Sequence, residues 1–164
     1  MLSDKSFPVI EATLPLVGSR IGEITPKFYA RLFAAHPELL DGLFSRSNQR
    51  NGNQQQALAG SIAAFATHLV NNPGTLPETV LARIAHRHAS LGITEPQYHV
   101  VYEHLFAAIA EDLAEVITPE IAEAWTEVYW LMADALIKLE KGLYAAQANS
   151  TMWSPWRVAT KTAA

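Results

Sequence analysis

Apolar side chains recur at steps of three and four residues along almost the whole chain, and that periodicity confines it to helices. Leu58, Ile62, Phe65 and Leu69 form one stripe, and Val101, Leu105, Ile109 and Leu113 form another. Trp125, Val128, Tyr129, Met132, Leu136 and Leu143 form a third. Phe28, Leu32 and Phe33 share a face of an earlier segment, where Thr25-Pro26 reads as a cap followed by proline at a helix start. A shorter stripe joins Leu81, Ile84 and His88. Thr94-Glu95-Pro96 and Thr118-Pro119-Glu120 open the last two long helices. No strand-like alternation of any length precedes Trp153, so the expected fold class is all-α.

The breaks divide the chain. Pro37 starts a new turn, and after Phe44 a polar stretch from Ser45 to Asn53 makes an irregular loop. Asn72-Pro73-Gly74 closes the following long helix. From Ala145 to Thr151 the residues become small and polar, which reads as a linker, and Trp153 to Lys161 is too short to fold alone. The expected division is one domain over 1–144 and a tail over 145–164.

At 164 residues, folding hides roughly 70% of the unfolded chain's surface, enough for one core. A formal net charge of -4 with thinly spread Lys and Arg argues against a nucleic-acid binder and against membrane insertion. The absence of cysteine excludes disulfides, thiolate metal sites and cysteine nucleophiles, and it fits a reducing compartment. Asp4 and Glu11 interrupt any signal-peptide apolar region, and no apolar run is long enough for a bilayer, so the expected location is cytoplasmic.

Of the six histidines, His86 and His88 invite a metal-site reading, but on a helix they point about 200° apart and cannot easily clasp one ion. His88 continues an apolar stripe, whereas His86 lies on the polar side with Arg83 and Arg87. An imidazole on an apolar face needs partners for its nitrogens. It is either a core histidine bonded to a carbonyl or a ligand to a heme iron, with its second nitrogen held from behind.

Glu140 falls one four-residue step beyond Leu136 on an inward row. A carboxylate there either reaches solvent at the edge of the stripe or finds donors, such as an imidazole N–H and the hydroxyl of Tyr98. Tyr29 and Gln54 form the opposite wall of a possible pocket, both able to donate to a polar ligand. The alternatives are a core tyrosine with a wet tip and a surface glutamine near a helix start.

These residues resemble a family when read in order. Lys27-Phe28-Tyr29-Ala30-Arg31-Leu32-Phe33, His36-Pro37-Glu38-Leu39 and Phe44 are similar to the second helix and following corner of bacterial flavohemoglobins. Asn48 to Gln54 with Ala57-Leu58 resembles their distal loop and helix. Ile84 to His88 and Pro96-Gln97-Tyr98 with Glu103-His104-Leu105 resemble their proximal side, and Ala124-Trp125, Tyr129, Ala133 and Glu140 their last helix.

The resemblance implies a globin fold of about six to seven helices around heme b. It implies a loop after the second helix and a short distorted helix carrying the proximal histidine. His88 would ligate the iron, with Tyr98 and Glu140 bonded behind it. Tyr29, Gln54 and Leu58 would line the distal side, while Phe44 and Ile84 would pack on the porphyrin. The implied reaction is nitric oxide dioxygenation, in which oxygen on ferrous heme oxidises nitric oxide to nitrate. FAD fed by NAD(P)H, in C-terminal domains beyond this chain, or an external reductase would return the electrons. Without them the chain could not turn over. The alternative is a single-domain hemoglobin that binds, delivers or senses oxygen. Tyr102 and Trp130 depart from the family's glycines, adding bulk on the last two helices. Trp153 to Lys161 resembles the lead into a flavin domain.

Overall fold

The protein is described from a computed structural model that covers residues 1–39 and 53–152, without the side chains of 53–56, 59, 151 and 152. Five helices lie among the described residues: α1 (Ser6–Ala35), α2 (Asn53–Asn71), α3 (Glu78–Ser90), α4 (Glu95–Asp112) and α5 (Pro119–Met152). The fold class is all-α. Among the described residues the count is five, against six to seven expected for the whole chain, and α1 is one helix of 30 residues where two segments were anticipated.

Thr25-Pro26 therefore does not start a helix. Pro15 and Pro26 both lie inside α1, where each removes one N–H from the ladder. Both prolines are exposed, as are Glu11 and Gly22 four residues before them, so the freed carbonyls can turn to water. Thr25 caps nothing, because its hydroxyl donates back to the Ile21 carbonyl at 2.7 Å.

The other two expected starts are where the residues put them. Thr94 and Gln97 form a capping box at the head of α4, with Pro96 in the first turn. The Thr118 hydroxyl accepts the Ile121 N–H at 3.2 Å at the head of α5. At the other end, α5 runs unbroken to Met152, so residues 145–151 are helical where a linker was expected. Small residues such as Ala145, Ala146 and Ala148 favour helix over coil, which the linker reading undervalued. The polar stretch from Ser45, Phe44 and Trp153 to Lys161 lie outside the described residues.

α1 packs most broadly against α4 and α2 and also touches α5, while α3 rests on α5. The core between them holds Ile10, Phe28, Leu32 and Val128, all essentially solvent-free. Burying each is worth about 1.5–3 kcal/mol. A polar clamp secures α1 to α4 at the rim: Arg20 grips Asp112 through Nε (2.9 Å) and Nη2 (3.1 Å), and Lys27 Nζ adds a contact at 2.8 Å. Among the described residues, no helix is long and apolar enough to cross a membrane.

Candidate functional site

α3 is a regular helix of 13 residues rather than a distorted one. Its deepest row is Leu81, Ala85 and Ala89, with Ile84 and His88 half-buried beside it and His86 exposed. His88 is fixed at both backbone and ring. Its carbonyl accepts the N–H of Leu91 at 3.0 Å and of Ile93 at 3.1 Å. This tight corner turns through Gly92, whose φ of 74° lies where a side chain is strained.

The ring of His88 meets two helices at once. Nδ1 lies 2.9 Å from Glu140 Oε1 and 2.9 Å from the Tyr98 hydroxyl, which itself donates to Glu140 Oε1 at 2.7 Å. Glu140 is only 2% exposed, yet its carboxylate is served by these two donors, which offsets the cost of burying it. The proton pattern follows. A carboxylate can only accept and Tyr98 spends its proton on Glu140, so Nδ1 carries the imidazole hydrogen. Nε2 is left as a bare lone pair. The side chain of His88 is 27% exposed, so the ring is not sealed in the core.

Two further tyrosines brace the group: Tyr129, read in the sequence only as part of the last helix's apolar stripe, and Tyr144, to which the sequence reading gave no role. The Tyr129 hydroxyl donates to the Tyr98 carbonyl at 2.6 Å, and the Tyr144 hydroxyl to the Ile93 carbonyl at 2.6 Å. Tyr144 lies four residues after Glu140, and that spacing was the signal available for finding it. Burial, and then the bond to Glu140, hold the Tyr98 hydroxyl far above the ordinary tyrosine range, so its proton is permanent.

Tyr29 is 3% exposed on α1, its ring stacked on Phe33 at 5.5 Å and tilted against Phe28 at 4.7 Å. Burial raises its hydroxyl too, keeping it protonated and able to donate. Leu58 lines an apolar cavity together with Ile24, Ile62, Leu105, Phe106 and Tyr129. Gln54 is on α2, but its side chain, like all of Phe44, lies outside the described residues. Tyr102 and Trp130 do not line the apolar cavity. Their half-buried rings pack on each other at 5.4 Å between α4 and α5, and the Tyr102 hydroxyl meets Thr126 at 3.2 Å. Among the described residues, no three His, Cys, Asp or Glu side chains gather as a metal cluster.

The arrangement fits a heme on the chemistry of its donor. A single imidazole backed by a carboxylate is the kind of donor that would hold an iron whose other ligands come from a porphyrin.

Known proteins share this fold and much of this sequence. A flavohemoprotein of Chromobacterium violaceum is 40% identical over 98% of this chain. The chain spans 40% of that relative's length, and 36% of that of a flavohemoprotein from Halalkalibacterium halodurans. The flavohemoglobin of Malassezia yamatoensis, solved with bound FAD and heme, superposes with a TM-score of 0.86 at 58% identity. That match covers 88% of this chain and 38% of the other. A bacterial globin from Campylobacter jejuni superposes with a TM-score of 0.77 at 26% identity, over 87% of this chain and 99% of its own. The globin family model matches residues 26–136, which contain Tyr29, His88 and Tyr98 and most of the helical core, and the chain belongs to the globin family.

Proposed function

We propose that this chain is a heme-binding globin module that takes up oxygen and serves the oxidation of nitric oxide to nitrate, as the heme part of a flavohemoglobin. The observation that carries the reading is the 2.9 Å contact of His88 Nδ1 with the buried carboxylate of Glu140, which fits a ring that keeps its hydrogen on Nδ1 and offers Nε2 to a ligand.

His88 Nε2 would hold the iron of heme b, with Ile84 one turn earlier on the same helix packing against the macrocycle. When bound, heme supplies the redox-active iron at which the oxygen and nitric oxide chemistry runs. Glu140 draws on the Nδ1 proton and makes the imidazole a stronger electron donor, and Tyr98 keeps that carboxylate in position. Tyr29, protonated at any physiological pH, provides a hydrogen-bond donor where negative charge develops on a ligand. Leu58 and its apolar neighbours keep water out. In this reading Phe44 would pack on the porphyrin and Gln54 would line the ligand side.

The division into a heme domain over 1–144 and a continuation from 145 belongs to this reading. So do FAD and NAD(P)H on separate flavin and nicotinamide domains, or an external reductase as the source of electrons, and a cytoplasmic setting. Rapid mixing of the reduced, oxygenated protein with nitric oxide tests it. Fast, stoichiometric formation of nitrate is expected. Slow conversion would favour a stand-alone oxygen carrier, the second reading, which the overlap with nearly the whole Campylobacter globin supports.

A further inference from the structure

Oxidisable rings run outward from the His88 group through ring contacts, except between Tyr98 and Tyr129, where the link is a hydrogen bond to a backbone carbonyl. Tyr98 packs edge-on to His88 at 6.0 Å, and Tyr129 is bonded to the Tyr98 carbonyl. From Tyr129 the next rings are Tyr102 at 5.4 Å and Trp130 at 5.2 Å, which lie 5.4 Å from each other. The last contact is Trp130 against His99 at 4.7 Å. Burial falls along the same path: Tyr98 and Tyr129 are buried, Tyr102 and Trp130 half-buried, and His99 exposed.

Tyrosine and tryptophan are the side chains that give up one electron most readily when no thiol is present, and this chain has no cysteine. Tunnelling falls exponentially with the gap, so rings in near contact pass an electron far faster than one long jump. Aliphatic side chains would fill the crevice between α4 and α5 as well. A contiguous run of these particular rings from the interior to the surface adds a route for charge.

We propose that Tyr129, Tyr102 and Trp130 relay single electrons from the surface at His99 to the His88 side of the site, so that a peroxide reacting there oxidises a phenolic reductant at Trp130. This inference rests on the heme reading. Hydrogen peroxide is the oxidant: its O–O bond breaks, and with two electrons and two protons it leaves as two waters. Each electron comes from Trp130 through Tyr102 and Tyr129, and each matching proton leaves the indole Nε1 for solvent. After each of the two transfers a phenol at the surface gives one electron and one proton back to Trp130 and becomes a phenoxyl radical, so two phenols are oxidised per peroxide.

The test uses the full chain loaded with heme. It is mixed with hydrogen peroxide and a nitrone spin trap, digested, and mapped by mass spectrometry, with a freeze-quenched sample read by electron paramagnetic resonance. Trap adducts on Trp130 or Tyr102 are expected, and Tyr102→Phe/Trp130→Phe is expected to lose them while keeping its Soret band. Trp130→Phe alone, the milder change, should move the adduct to Tyr102. Adducts confined to Trp125, Tyr144, Trp153 or Trp156 in a protein with a normal Soret band would overturn the relay alone. A wild-type protein that takes up no heme would overturn the reading beneath it.

Discussion

Glu140 and His88 stand 52 residues apart in the chain and meet at 2.9 Å, carboxylate oxygen to ring nitrogen. That contact joins the longest helix to one of the shortest and decides which imidazole nitrogen remains available. Replacing Glu140 with Gln keeps an oxygen acceptor but removes the charge. The iron–imidazole stretching frequency in resonance Raman spectra should fall, and an unchanged frequency would detach the carboxylate from the ring. Glu140→Ala strips the partner from two buried donors and should cost about 1–3 kcal/mol in urea unfolding.

His88→Ala should abolish stable heme uptake, seen as the loss of the Soret band on reconstitution, whereas His86→Ala should barely change it. The two residues differ in environment more than in chemistry, since His86 is exposed and His88 is tied to Tyr98 and Glu140. Equal effects would mean that the wrong face of α3 carries the ligand.

Tyr29→Phe removes one hydroxyl and leaves the stacked ring in place. A donor to a polar ligand is worth about 0.5–1.5 kcal/mol when lost, so oxygen should dissociate several-fold faster by stopped flow. An unchanged rate would remove Tyr29 from the ligand's surroundings.

The clamp on Asp112 makes stability depend on pH. Hydrogen bonds from Arg20, then Lys27, hold this carboxyl below its usual range in the folded protein. A depressed folded value means that its contribution is complete above the unfolded pKa of about 3.9. It is lost as pH falls through the lower folded value. Asp112→Asn should therefore narrow the gap between urea midpoints measured at pH 7 and pH 3. An undiminished gap would assign the acid sensitivity to other groups.

The helical periodicity made the fold readable because each stripe that packs against a neighbour must repeat every turn. Leu58, Leu105 and Leu136 could be placed facing inward from spacing alone. Glu140 stood out for the same reason, as a charge on a row that should be apolar. What spacing could not reveal was where a helix ignores its own punctuation. Pro26 looked like a start because proline breaks the ladder, but the break falls on an exposed face where water can serve the loose carbonyl. Likewise, which row of α3 is deepest depends on Ala85 and Ala89, whose small side chains carry little hydrophobic signal yet allow α5 to approach closely. Tyr129 was legible as an apolar-face residue and Tyr144 was not, and the carbonyls both hold lie outside their own helix and leave no trace in local sequence.

The two grips that α5 has on the corner around His88 have a mechanical consequence. Glu140 holds the ring and Tyr144 holds the carbonyl of Ile93, one turn apart on the same rod. A shift of that rod along its axis would therefore pull on both anchors at once. The rod continues to Met152, which makes it a lever whose far end reaches well past the ring it steers.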